Sequence, residues 1–352
     1  MRERFHIFYQ TVLLLIVAAV LLNACSSDSP EAQTNPAGKE PVDHVVHIVP
    51  FATSYMEKTS GHRAAPVGYS GYLPEKYTQM GIYMLKDKDT APYEEQLIKY
   101  LSRWHAYFDV DKDTTYTVYG YLPKQEGMNS SLVKTTAGAV TLTINGIKPV
   151  TTDDICIITG VKDTEEGLKE GQFSWDTPIA DETYYMYLLL NHLYASVRFS
   201  MKIDEVYAQL RTIKLKRMTL STNKDSVSAT ISLKHNTTGE VPITNVVYTE
   251  TGSSSEAVIF SDDEGTALDK TTPLAIDACF APTLSESLTL VSSYDVYDSK
   301  GNLIRANCSA TNKIPNLYAS RGQRVQLNLI VNPTYLYVLS DPDLDNPAVV
   351  VN

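Results

Sequence analysis

One thiol is well placed for covalent chemistry. Cys25 follows Leu22-Asn23-Ala24 at the end of an apolar run, Thr11 to Leu22, and that run is preceded by Met1-Arg2-Glu3-Arg4. A basic head, an apolar stretch too short for a comfortable bilayer span and small residues before a cysteine make the pattern of a bacterial lipoprotein signal. The implied reaction transfers diacylglycerol to the Cys25 sulfur. Cleavage before Cys25 follows, and the new amino end is then open to a further chain such as palmitate. Residues 1–24 are read as the signal and Cys25 as the lipidation site. The mature protein is expected to leave the cytosol and to begin tethered to a membrane by lipid. The alternative is an ordinary secretory signal with a coincidental cysteine.

Other reactive constellations are missing from the sequence. It contains no P-loop, Gly-x-Gly-x-x-Gly, His-Glu-x-x-His or Cys-x-x-Cys, and Gly68-Tyr69-Ser70-Gly71 fails the nucleophile-elbow pattern at its last position. His44 and His47 have the spacing of neither one strand face nor a helical i, i+4 pair. Asp109-Val110-Asp111-Lys112-Asp113 starts like a calcium loop, but Thr114 and Gly120 stand where Gly and Glu are needed. Asp341-Pro342-Asp343-Leu344-Asp345, with Pro347, suits an extended linker. The expectation is a protein with no catalytic residue, no metal and no cofactor, not an enzyme. Beyond Cys25 there are three cysteines, an odd number that builds no disulfide framework. Cys156 lies in a buried-strand pattern, Ile155-Cys156-Ile157-Ile158, whereas Cys279 and Cys308 pair only if their strands are neighbours.

The elements that carry these residues read as all-β. Tyr numbers 23, and Tyr, Val, Thr and Ile gather in short alternating runs between turn residues. From His192 to Ile203 the alternation is unbroken: Leu193, Ala195, Val197, Phe199, Met201 and Ile203 share one face. Ile213 and Leu215 continue the period, then the apolar set slips to Met218 and Leu220, which predicts a bulge near Arg217. Further strands are expected at Thr115–Tyr121, Ala139–Ile144 and Val325–Val331. Pro92 to Trp104, with Leu97, Leu101 and Trp104 at helical spacing, is the best helix candidate. Short strands at this spacing predict two β-sandwich domains in tandem, 42–182 and 183–331, followed by a two-strand tail, 332–352. The boundary is set at the polar break Asp176–Glu182. Residues 25–41, polar with recurrent Ser and Pro and single Asp, Asn and Gly residues, read as a flexible tether. Hydrophobic residues make up 43% of the chain, enough for sizeable cores, and the formal charge is −11. That charge argues against a nucleic-acid partner.

Both ends of the folded region draw attention. Val45-Val46-His47-Ile48-Val49-Pro50-Phe51 is an apolar strand that leads into a small-residue loop, Thr59-Ser60-Gly61-His62-Arg63-Ala64-Ala65-Pro66. Such a loop is a preferred place for proteolytic nicking, though Arg63 reads equally as an ordinary surface arginine. At the other end Asn332-Pro333 halts a strand. Thr334–Leu339 and Ala348–Val351 are then apolar on either side of a polar hinge. Unpaired apolar strands are an aggregation liability, so they belong either to the chain's own sheets or in a neighbour's groove.

With these residues in view the chain resembles the fimbrillin family, lipoprotein precursors of pili in Gram-negative anaerobes. The resemblance rests on the Cys25 signal, on His192-Leu193-Tyr194-Ala195-Ser196-Val197-Arg198-Phe199 through Leu210–Leu215, and on the tail Asn332-Pro333-Thr334-Tyr335-Leu336-Tyr337-Val338-Leu339-Ser340-Asp341-Pro342-Asp343. It implies export to the outer membrane as a lipoprotein and cleavage by an arginine-specific protease. Loss of the N-terminal strand and its replacement by the C-terminal strands of another subunit would follow, giving an extracellular, adhesive fimbrium. By position, Arg63 matches the cleavage site, with Lys58 as a second basic residue nearer the strand. Val45, Val46, Ile48, Val49 and Phe51 match the removed strand. Tyr335, Leu336, Tyr337, Val338, Leu339, Val349, Val350 and Val351 match the donor strands. The implied partners are other fimbrial subunits, the protease and, through the lipid, the outer membrane. The competing expectation is a lipoprotein that stays anchored and binds glycan or a host protein.

Overall fold

Period-two alternation builds almost every element. The computed structural model describes residues 45–57, 79–86, 95–99, 104–107, 114–135, 139–162, 176–179, 183–234, 243–282, 288–315, 317–332, 335–340 and 349–351. Of these, all but Tyr107 belong to one compact unit, 44–106 with 110–352.

In chain order the strands begin with β1 (Val45–Ala52), β2 (Met56–Glu57), β3 (Gln79–Lys86), β4 (Gln96–Lys99), β5 (Trp104–Tyr107) and β6 (Thr114–Leu122). There follow β7 (Asn129–Lys134), β8 (Ala139–Ile147), β9 (Val150–Thr151), β10 (Cys156–Lys162), β11 (Asp176–Ile179), β12 (Thr183–His192) and β13 (Ala195–Ile203). After a single-turn helix, α1 (Glu205–Ala208), come β14 (Arg211–Thr222), β15 (Ser226–Lys234), β16 (Ile243–Thr251), β17 (Ser255–Ala267) and β18 (Leu274–Phe280). The last are β19 (Leu288–Asp298), β20 (Leu303–Ile314), β21 (Gln323–Asn332), β22 (Tyr335–Ser340) and β23 (Val349–Val351). Asp204 caps the helix by accepting from the Tyr207 N–H.

They form four sheets. The largest runs β4-β3-β6-β10-β12-β1-β5, with β11 also on β6, and the second runs β23-β22-β21-β13-β18-β9, with β2 also on β21. Two four-stranded sheets follow the orders β17-β14-β19-β20 and β16-β15-β8-β7. The all-β expectation therefore holds. Leu193, Ala195, Val197, Phe199 and Met201 are fully buried, as their shared face requires, and Ile203 nearly so. On the opposite face Tyr194, Ser196 and Ser200 are buried as well, whereas Arg198 and Lys202 are half-buried. The predicted bulge is present: the pairing of β14 with both β17 and β19 shifts register between Leu215 and Arg217. Ile213, Leu215, Met218 and Leu220 consequently all face the core.

One expectation is corrected, and two observations concern the segment where the boundary was set. The helix at Pro92–Trp104 is absent from its described part, which instead contains β4, paired antiparallel with β3, and the start of β5. The polar break Asp176–Glu182 holds a short strand, β11, on β6. Pairing also crosses the boundary expected at 182/183: β12 completes the first sheet, and the β7–β8 hairpin joins β15 and β16. Sheet hydrogen bonds are satisfied by whichever strand lies alongside, so a polar break in sequence need not be a break in a sheet. The buried cluster likewise extends from Tyr83 to Val331.

Candidate functional site

Strand β1 pairs with β12 in parallel over eight rungs, from Val45 opposite Thr183 to Ala52 opposite Leu190. The ladder is extended by the Thr53 N–H, which donates to the Leu190 carbonyl at 2.9 Å. Strand β5 lies on its other side, so β1 is an inner strand. Its alternation sends Ile48, Pro50 and Ala52 into the core, while Val49 and Phe51 are half-buried on the other face. Phe51 there packs at a tilt on Tyr187 of β12. Of the residues expected in a removable strand whose side chains are described, Ile48 is the one in the core. Val45 and Val46 take their places in the ladder opposite Thr183 and Tyr184.

After β1 the chain leaves for the second sheet. Strand β2 pairs in parallel with the start of β21, Met56 opposite Gln323 and Glu57 opposite Arg324. Further along, β21 pairs antiparallel with β22, Leu327 opposite Ser340 through Asn332 opposite Tyr335. Strand β23 then pairs with β22 through Val349, Val350 and Val351 and ends the sheet. The eight residues expected to act as donor strands are thus paired with their own chain, as a hairpin at the margin of a sheet. The expected removable strand lies in a different sheet from them. Cys25, Arg63, Lys58 and both acidic clusters lie outside the described residues.

A buried polar cluster joins the segment after β1 to the body, and sequence reasoning missed it. His192 ends β12 and is 2% exposed; Asp154, 6% exposed, and Cys156, fully buried, flank the start of β10. Cys156 and His192 are direct partners across the ladder. His192 Nε2–H donates to the Thr53 carbonyl at 2.5 Å, and Nδ1 lies 2.8 Å from Asp154 Oδ2 and 3.8 Å from Cys156 Sγ. The Tyr55 ring stacks on the imidazole with centroids 3.7 Å apart and planes 15° apart, and its hydroxyl donates to Asp154 Oδ1 at 2.7 Å. The Arg324 guanidinium lies over the Tyr55 ring, 5.1 Å from its centre. Thr53 Oγ1 donates to Asn191 Oδ1 at 3.2 Å, and Asn191 Nδ2 in turn donates to Thr159 Oγ1. Burial, and next the Asp154 charge, push the Cys156 thiol well above its ordinary range. A signal for this cluster existed only in part, since Cys156 reads as a core thiol and His192 as one position of an alternating run. No disulfide joins Cys156, Cys279 and Cys308; Cys279 is in β18 and Cys308 in β20, which belong to different sheets.

No protein-family model matches the chain, and no curated relative matches it. Among solved structures, a fimbrial protein from Bacteroides vulgatus aligns with 84% of this chain and 98% of its own at 14% identity, with a TM-score of 0.38. A candidate cell adhesion protein from Bacteroides ovatus aligns with 84% of this chain and 95% of its own at 12% identity, TM-score 0.40. The fimbrial anchor protein Mfa2 from Porphyromonas gingivalis aligns with 84% and 98% at 9% identity, TM-score 0.23. With TM-scores below 0.5 these likenesses carry no argument about this chain.

Proposed function

We propose that this chain is a structural subunit of a cell-surface fimbrium, without enzymatic activity, assembled by strand exchange. In this reading it is exported as a lipoprotein acylated at Cys25 and cut after Arg63. The cut releases β1 and β2 together. What carries the reading is the position of β1, an inner strand held between β12 and β5 and joined directly to the segment that contains the candidate cut. Loss of β1 leaves one edge of β12 unpaired over eight rungs, with β10 still on the other, and a slot where Ile48, Pro50 and Ala52 were buried. Another subunit's tail restores both the ladder and the apolar contacts, which is β-strand addition. Four or five buried Leu or Val side chains contribute roughly 6–15 kcal/mol of gross apolar stabilisation, at about 1.5–3 each. Ordering the tail offsets much of it.

The tail contributes the second half of the argument. Strands β22 and β23 close on their own β21 at the end of a sheet, where release uncovers one margin and disturbs no strand beyond it. The linkage is head-to-tail and does not close, so it grows a fibre. The test is the N-terminus of the surface-exposed protein, read by mass analysis. A terminus at Ala64 is expected, together with fibres that tail deletion from Thr334 to Asn352 prevents from propagating. A surface form that keeps lipid-modified Cys25 overturns the proposal and favours a retained, ligand-binding lipoprotein.

A further inference from the structure

We propose that Asp154, Cys156 and His192 form a site for one Zn2+-type divalent transition-metal ion, bound through Asp154 Oδ2, Cys156 Sγ and His192 Nδ1. The inference rests on the buried cluster and is independent of the strand-exchange reading.

The first argument is proton bookkeeping. A neutral imidazole has one N–H. His192 faces an acceptor at each nitrogen: the Thr53 carbonyl at Nε2 and the Asp154 carboxylate at Nδ1. In the neutral ring the carbonyl, which can only accept, claims the proton at Nε2, and Nδ1 then presents a lone pair towards a carboxylate oxygen and a sulfur. Three Lewis bases within 4.8 Å of one another, all buried, converge on one point. A cation there removes the conflict.

The second argument is distance. Zinc takes about 2.0–2.1 Å to nitrogen, 2.0–2.2 Å to oxygen and 2.3 Å to sulfur, so tetrahedral ligands stand about 3.3 Å (N to O) and 3.5 Å (N to S) apart. The observed 2.8 Å and 3.8 Å straddle these values, and a carboxylate swing of about half an ångström accommodates the ion. Mixed nitrogen, oxygen and sulfur donors suit zinc among the common ions.

Charge and surroundings supply the third. Binding replaces the proton on the Cys156 sulfur with the metal and releases it to solvent; the carboxylate and imidazole bind through lone pairs. The resulting thiolate and carboxylate match a dication, so the ion and its three ligands are neutral together. The outer contacts are those that metal ligands ordinarily keep: the second imidazole nitrogen donates to a backbone carbonyl, and the second carboxylate oxygen accepts from the Tyr55 hydroxyl. Both outer groups come from residues 53–55, so a bound ion would also stiffen the junction that holds β1 in place.

The full chain, stripped of metal and titrated with Zn2+ or Co2+ alone, tests the site. The expected result is one equivalent per chain, one proton released, and a thiolate-to-cobalt charge-transfer band. Cys156→Ala abolishes the band and weakens Zn2+ binding by about 100-fold or more, beyond what loss of an outer contact costs. The absence of a band at equimolar cobalt overturns the proposal whether or not the variants fold, and leaves a metal-free His192–Asp154 pair. So does Zn2+ affinity unchanged in Cys156→Ala, which places the ion elsewhere on the surface.

Discussion

Replacing Tyr55 with Phe removes one buried hydroxyl at the junction after β1. The variant keeps the ring that stacks on His192 and faces Arg324, and removes the hydroxyl that donates to Asp154 Oδ1 at 2.7 Å and lies 3.5 Å from Cys279 Sγ, so the cycle with Asp154 is what separates the two contacts. Asp154 is 6% exposed, so water replaces that donor poorly. A hydrogen bond to a charged partner contributes about 1.5–3 kcal/mol, equivalent to a shift of the unfolding equilibrium by about one to two orders of magnitude. The assay is urea denaturation of the full chain with chelator present, so that metal binding does not enter. Wild type, Tyr55→Phe, Asp154→Asn and the double variant complete a cycle. The expected coupling is about 1.5–3 kcal/mol. A coupling below about 0.5 kcal/mol, the level at which independent sites add, refutes the view that this contact anchors the segment.

The two faces of β1 should respond unequally. Ile48→Ala, at a position 4% exposed, is expected to cost about 2–5 kcal/mol in denaturant unfolding, and Val49→Ala, half-buried, clearly less; the reverse order would overturn the face assignment. The exposed Asp269 carboxylate accepts from the Thr271 hydroxyl, the Thr272 N–H and the Thr271 N–H, which hold its pKa at about 2 against an ordinary 3.8. A depressed folded-state pKa stabilises the fold above the unfolded value, and that contribution is lost as pH falls from about 4 to about 2. Thr271→Val should move the Asp269 midpoint upward in an NMR titration, and an unmoved midpoint removes the hydroxyl as the leading cause. Asn307 has φ 54°, and its N–H donates to Asp295 Oδ1 at 2.7 Å. Asn307→Val should cost about 1–2 kcal/mol and Asn307→Gly far less, measured by thermal or denaturant unfolding.

Period two is a property of neighbouring residues, so it is legible in a single chain. That is why the faces of β13 and the bulge at Leu215–Arg217 could be read directly: the slip of apolar phase is itself the bulge. The 92–104 segment misled because Leu97, Leu101 and Trp104 satisfy helical spacing, while pairing of Gln96–Lys99 with β3 gives its backbone donors and acceptors partners that spacing does not reveal. Partner choice is not local at all. Every strand offers the same ladder of N–H and C=O groups, and only packing of the whole chain decides that β1 lies beside β12 and that β2 and β22 share one margin of β21. The buried cluster belongs to the same category. Tyr55 and Asp154 stand 99 residues apart and Asp154 and His192 38 apart, so their chemistry exists only where three strand ends converge. The sequence by itself determined the class of elements, their inward faces and a candidate lipid attachment at Cys25. The tertiary structure decided which strands are neighbours, and with that which polar side chains meet in the interior.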